Sequence, residues 1–247
     1  MKTFFDLPYV DDATSMQLLD VYIPECNTFP VYVHFHGGGL VNGSRKGFKH
    51  IAEQLTERGI ASVSVEYRMF PDAKYPDFIE DCANAVKWVK DNVKNYGKCE
   101  SIYVGGSSAG GYLSMMLCFD RRWLNAVGID LSEINGYFHD AGQPTAHFNV
   151  LKYSGLDHRR VIIDETAPLY HIGLEENYPK MAFIVSDNDM KNRYEQTMLV
   201  LGTLKHFGYD MNKVMLKVMH GTHTHYARKD YDNGVTYANM IKELIDL

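Results

Sequence analysis

The sequence predicts an α/β protein, a mostly parallel central sheet with helices on both faces. Short apolar runs rich in Val, Ile, Phe and Tyr alternate along the chain with longer segments whose apolar residues recur at helical spacing. Such alternation lays strands side by side and helices over them. The chain is also long enough to build this core unaided: of its 247 residues 45% are hydrophobic, and at this length roughly 70–75% of the extended surface is buried on folding.

Strands are expected at residues 18–23, 30–36, 61–67, 101–105, 126–131, 181–186 and 213–219, most of them bounded by Gly, Pro or Asp. The first two, joined by a short connection holding Pro24, Cys26 and Asn27, read as an antiparallel hairpin at one edge. Helices are expected at 46–58, 76–96, 109–119, 194–207 and 226–245. In the second of these Phe78, Ile79, Cys82, Val86, Val89 and Val93 share one face, and Gly97 stands where a glycine stop belongs. Residues 135–179 break the rhythm, being polar, rich in His and Gly, and too long for a simple connection. They read either as a lid or specificity insertion or as a surface excursion with one or two short helices. With no repeat, low-complexity tract or linker, residues 1–247 read as a single domain carrying that insertion.

Composition removes several classes of function. The chain holds 25 basic and 31 acidic residues, a net charge of −6, with no basic run to attract nucleic acid or an anionic membrane. No apolar stretch approaches the ~20 residues of a membrane span. The opening Met1-Lys2-Thr3-Phe4-Phe5-Asp6 meets acid too soon for a secretory signal. Cys26, Cys82, Cys99 and Cys118 are scattered, with no C-x-x-C pair, as expected of thiols in a reducing cytoplasm. The expected partner is a small molecule, and a homo-oligomer is compatible with the composition.

The chemistry begins at Gly106-Ser107-Ser108-Ala109-Gly110, a G-x-S-x-G pentapeptide between an expected strand and an expected helix. A nucleophilic serine exposed on a sharp strand-to-helix turn needs small residues two before and two after it, and Gly106 and Gly110 meet that need. Ser108 is the central serine; Ser107 is out of register. Upstream, the strand ending at Phe35 leads into His36-Gly37-Gly38-Gly39, glycines able to present backbone N–H groups to a ligand oxygen. Neither glycine cluster has the spacing of a dinucleotide or phosphate loop. A Ser…Asp…His chain order then requires an acid after a later strand and a histidine after the last. Asp187-Asn188-Asp189 and His220-Gly221-Thr222-His223-Thr224-His225 occupy those places. The three histidines also permit a zinc reading with Asp187 or Asp189 as oxygen ligand, although the spacing matches no standard zinc motif. His34 reads as a packed or capping strand residue, and His139, His147, His158 and His171 lie in the insertion, where they read as surface residues or, alternatively, as substrate contacts.

With these residues the sequence resembles the α/β-hydrolase superfamily, within it the small esterase/lipase group of acetyl-esterase-like and hormone-sensitive-lipase-like enzymes. The resemblance runs from Leu19-Asp20-Val21-Tyr22-Ile23-Pro24 to the histidine cluster, and includes Glu66-Tyr67-Arg68, Tyr75-Pro76 and Asp81 as structural signatures. It departs from the group in lacking a long N-terminal cap and in carrying Leu40 after the glycines, where an aromatic is commoner. The resemblance implies Asp189 as the acid, with Asp187 a turn or capping residue, and His223 of Gly221-Thr222-His223 as the base. It further implies an oxyanion hole from the amides of Gly38, Gly39 and Ala109, no metal and no cofactor. The implied activity is hydrolysis of short-chain carboxylic esters, acetyl esters of carbohydrates among them, through an acyl-enzyme on Ser108. Amide or peptide cleavage on the same triad is the alternative, and a non-catalytic ligand receptor on this fold is a third reading.

Overall fold

The computed structural model describes residues 1–175 and 177–247. Glu176, inside the expected insertion, lies outside the described residues. In chain order the elements are β1 (Lys2–Pro8), β2 (Leu18–Ile23), β3 (Thr28–Phe35), α1 (Lys49–Glu57), β4 (Ala61–Val65), α2 (Asp77–Asn92), β5 (Lys98–Ser107) and α3 (Ala109–Phe119). There follow α4 (Arg122–Ala126), β6 (Gly136–Asp140), α5 (Phe148–Tyr153), β7 (Lys180–Asn188), α6 (Arg193–His206), β8 (Val214–Thr222), α7 (Lys229–Asp232) and α8 (Val235–Asp246). All eight strands join one sheet in the order β1-β2-β4-β3-β5-β6-β7-β8, antiparallel at β1–β2 and β2–β4 and parallel from β4 onward.

Strand alternation divides the core between the two faces. Val31, Val33 and Phe35 of β3 point to the side covered by α2, α3 and α6, where Val86, Leu113 and Val200 are buried. Tyr32 points the other way, into a layer with Ile51 and Leu55 of α1 and Tyr237, Ile241 and Leu244 of α8. The helices thus flank the sheet as the alternating sequence requires.

Five local expectations are corrected. β2 and β3 form no hairpin, because β4, buried at every position, is inserted between them and takes the hydrogen bonds of both. β1 is a strand where none was expected; its half-exposed pattern, broken at Asp6 (φ 56°) by a register shift, hides the alternation. Residues 126–131 are not a strand but the end of α4 and a turn through Gly128 (φ 73°), and the sixth strand is Gly136–Asp140. The insertion therefore begins at Ala141 rather than at 135. The last helix is interrupted at Asn233 (φ 57°) and Gly234 (φ 85°), where a side chain on Gly234 would strike Ile51 of α1. Finally, α2 stops at Asn92, and Gly97 is small for another reason: a Cβ there would lie 2.5 Å from the Phe29 ring.

Two of the signature residues expected to be structural, Arg68 and Asp81, meet in one knot with Gln17. Asp81, fully buried on α2, accepts from Arg68 Nε and Nη2 (both 2.8 Å), from the Arg68 amide (2.9 Å) and from Gln17 Nε2 (2.9 Å). Four donors offset the desolvation of one carboxylate, so the knot joins α2 to the loops after β1 and β4. Asp81→Ala leaves these donors unpaired and is expected to lower the unfolding free energy by about 3–5 kcal/mol, read as a fall in the urea midpoint at unchanged slope. Among the described residues no helix is long and apolar enough to cross a membrane.

Candidate active site

β5 ends at Ser107 and α3 begins at Ala109, which leaves Ser108 alone on the turn with φ 57° and ψ −111°. A non-glycine residue there stores about 1–3 kcal/mol of strain, and the surroundings must hold it. They do so by contact. A Cβ on Gly106 would lie 2.5 Å from the Phe35 carbonyl oxygen and one on Gly110 1.9 Å from the same atom. One on Gly111 would lie 2.6 Å from the Asp140 oxygen. The Ser108 amide donates to the Asp140 carbonyl (2.8 Å). Small residues are thus required around the serine because β3, β5, β6 and α3 converge so closely there.

The expected partners meet this serine. His223 Nε2 lies 2.8 Å from Ser108 Oγ, and His223 Nδ1 lies 2.6 Å from Asp189 Oδ1. Asp189 follows β7 and His223 the neighbouring β8, so adjacent strands deliver acid and base side by side. Burial alone would raise the Asp189 carboxyl, but the His223 hydrogen bond and charge, with the amides of Met190 (2.7 Å) and Ser186 (3.2 Å), hold it below the usual carboxylate range. An ionised Asp189 accepts from Nδ1–H, which leaves Nε2 to accept the serine proton. Asp187 pairs instead with His220 Nδ1 (2.6 Å) and caps the Gly221 amide (2.9 Å). His225 bonds the Thr222 carbonyl (2.8 Å). The three histidines face three different partners and do not converge on one point, as a zinc reading requires.

The glycine loop lies against the elbow: a Cβ on Gly37 would be 3.2 Å from Ser108 Cβ. Gly38 (φ 123°) and Gly39 (φ 67°) adopt left-handed backbone that favours glycine, and the amides of Gly38, Gly39 and Ala109 have no acceptor among the described residues. The loop is held from behind. Tyr67 donates to the His36 carbonyl (2.7 Å), His36 Nδ1 donates to that of Gly37 (2.7 Å), and the His36 ring stacks on Tyr67. His36 Nε2 lies 3.1 Å from Glu66, which also pairs with the buried Arg45, itself bound to Asp20 and Asp6. Glu66 is raised by burial, yet His36, the Arg45 amide and Ser44 together keep it below its ordinary range.

The structure adds residues that no sequence pattern marks. From the insertion, Asn149 Nδ2 donates to the Gly39 carbonyl (2.6 Å), and Phe148 Cζ would lie 3.4 Å from a Cβ on Gly39. His147 stacks on Phe148 and is wedged against Tyr112 of α3. His139, His147 and His171 are buried, contrary to the surface placement expected; only His158 is exposed. Burial pushes His139 and His147 down to about 3, so both are neutral packing residues. The insertion is also less polar outside than expected, with Tyr153, Leu156, Val161, Ile163, Tyr170 and Leu174 exposed. No sequence signal separates Asn149 from the polar residues around it.

A parallel sheet in this strand order, with a strained serine after β5, an acid after β7 and a histidine after β8, defines an α/β-hydrolase. The chain belongs to the BD-FAE family, whose model matches residues 19–200. Among characterised relatives, an isoprenylcysteine alpha-carbonyl methylesterase of Arabidopsis thaliana is 28% identical over 131 residues, 50% of this chain and 31% of that protein. Esterase LipC of Mycobacterium tuberculosis is 35% identical over 114 residues, 44% of this chain and 28% of that protein. The matches to the two relatives thus span less than a third of the relatives' length. Esterase B of Lactobacillus rhamnosis superposes with a TM-score of 0.80 at 17% identity over 99% of this chain and 85% of that one. A truncated carbohydrate esterase from gut microbiota superposes with 0.78 at 17% identity over 100% and 97%.

Gly110→Ala places a methyl within 1.9 Å of the Phe35 carbonyl oxygen. It is expected to cost about 3 kcal/mol of stability, measured by denaturant unfolding, whereas Gly47→Ala, where no atom lies within 4 Å, should cost little.

Proposed function

We propose that the chain is a serine carboxylesterase working through an acyl-enzyme. The observation that carries this reading is the unbroken hydrogen-bonded line from Asp189 through His223 to Ser108. His223 Nε2 takes the hydroxyl proton as Oγ attacks the ester carbonyl. Asp189, ionised and buried, stabilises the imidazolium and fixes its orientation. The unpaired amides of Gly38, Gly39 and Ala109 receive the oxyanion, each donor worth on the order of 3 kcal/mol of barrier. The alcohol leaves with the proton from His223, and water activated by the same ring releases the acid. The esterases among the relatives and structural neighbours support this choice over amide cleavage, and the intact Ser–His–Asp line speaks against a receptor. The unpaired thiols of Cys26, Cys82, Cys99 and Cys118 fit a reducing compartment such as the cytoplasm.

The preferred substrate on this reading carries a short acyl group, acetyl to butyryl. Phe148 stands at Gly39 and is backed by His147 and Tyr112, a rigid wall beside the oxyanion loop. A group that reaches the wall cannot bury further methylenes, each of which would otherwise gain about 0.8 kcal/mol. The carbohydrate esterase among the neighbours makes acetylated sugars the first natural substrates to try.

Labelling with a fluorophosphonate should modify Ser108 in the wild type. Ser108→Ala should abolish both labelling and turnover; residual activity above about one part in a thousand would remove Ser108 from the nucleophile's role. On 4-nitrophenyl esters kcat/KM should peak between acetyl and butyryl and decline beyond about six carbons, and Phe148→Ala should move the maximum to longer chains. A wild-type maximum at about eight carbons or more, or an unmoved maximum in the variant, overturns the short-acyl assignment and leaves the triad standing.

A further inference from the structure

Asp140 closes β6 directly beneath the elbow, with its side chain wholly buried. Ser107 Oγ donates to its Oδ2 (2.6 Å) and Tyr226 to its Oδ1 (2.5 Å). Ser107 precedes the nucleophile; Tyr226, itself fully buried, comes three residues after His223. We propose that Asp140 is a positioning residue for the ester hydrolysis proposed above, a clamp that ties the nucleophile elbow to the turn carrying His223 and so sets the approach of base to serine.

The topology explains why a clamp is needed. Ser108 stands at the end of β5, but His223 rides on the turn after β8, the edge strand, which has a pairing partner on one side only. Two strands separate them, and Asp140 lies on one of the two, within reach of both turns. The carboxylate is costly there. No Lys or Arg pairs with it among the described residues. Burial pushes it up to about 6 against the pull of Ser107, Tyr226, the charge on His223 and Tyr237, and Tyr32 is also close by. Because the folded chain holds this proton more tightly than the unfolded one, the group's contribution to stability is present below the ordinary carboxylate range and lost as pH rises through about 6. At pH 8 the fold would be better off with a neutral group. A buried charge kept at a cost to the fold, between the two turns that carry nucleophile and base, is accounted for by function.

The test is Asp140→Asn at pH 8. Tm should stay or rise, kcat should fall about 10- to 100-fold with KM nearly unchanged, and the rate of fluorophosphonate modification of Ser108 should fall with kcat. Ser107→Ala and Tyr226→Phe each cut one tie and each should lower kcat by less; added to Asp140→Asn, whose single amide oxygen can accept from only one of the two hydroxyls, at most one of them should cost anything further. Turnover and labelling within twofold of wild type in Asp140→Asn overturn the clamp, as do losses that simply multiply in both double variants. Should the Asn variant fail to fold, the Ser107→Ala/Tyr226→Phe pair carries the test: a combined loss smaller than the product supports the clamp, and a simple product overturns it. A wild type that neither hydrolyses ester nor takes the probe would instead overturn the esterase reading.

Discussion

The structure is organised around one distorted residue. Ser108 can hold φ 57° only because three segments crowd it from different directions: the end of β3 through the Phe35 carbonyl, the end of β6 through that of Asp140, and the first turn of α3, where the Tyr112 amide donates to the Ser108 carbonyl. The strain is local, of order 1–3 kcal/mol, whereas the packing that contains it is that of the whole central sheet. The close approach that forces glycine at 106, 110 and 111 is also what brings the Gly37–Gly39 loop and His223 within reach of one hydroxyl. Strain and site geometry have a single origin.

Around that centre, identical chemical pairs behave differently according to burial. Asp187–His220 and Asp189–His223 have the same 2.6 Å contact and sit two or three residues apart. The His220 side chain is 98% exposed, so water screens the pair and the contact contributes little. Asp189 is buried, where a charge acts at full strength on the ring it faces. The loop behind the glycines follows the same logic: Arg45 and Glu66 are both buried, each charge is answered by the other, and His36 lies against Glu66. Rigidity at the glycine loop comes from this buried network and from Asn149, more than from the glycines, which by themselves would leave it loose.

What could be read from the sequence was whatever depends on local pattern. The elbow pentapeptide and the glycine run are short, and each residue in them answers to a neighbour one or two positions away. Strands β2, β7 and β8 and helices α2, α3 and α6 fall close to their expected places, because burial on one face or both imprints a period on the chain. What could not be read depends on contacts made across the sheet. Which of Asp187 and Asp189 faces His223 depends on which carboxylate points inward, and the chain pattern does not record that. Asn149 and Arg45 act through partners 110 and 21 residues away, and no periodicity marks them. The misplaced hairpin has the same cause: a short connection shows that two strands are near in sequence but not whether a third is inserted between them.

The displaced sixth strand is the instructive case. Residues 126–131 hold Ala126, Val127, Ile129 and Leu131, an apolar run that reads as a strand, yet Gly128 in left-handed backbone makes it the close of a helix. The true strand, Gly-Tyr-Phe-His-Asp, ends in two polar residues and by its sequence resembles the beginning of a polar excursion. Hydrophobic pattern fails there for a physical reason. In an open parallel sheet the carboxyl ends of the central strands are where ligands bind, so polar groups are buried at those positions at a cost that burial statistics count against a strand. His139 finds Ser114, and Asp140 finds Ser107 and Tyr226. A strand that turns polar at its last two residues, between the two strands that lead to Ser108 and Asp189, is therefore better read as a continuation of the site than as the start of a loop.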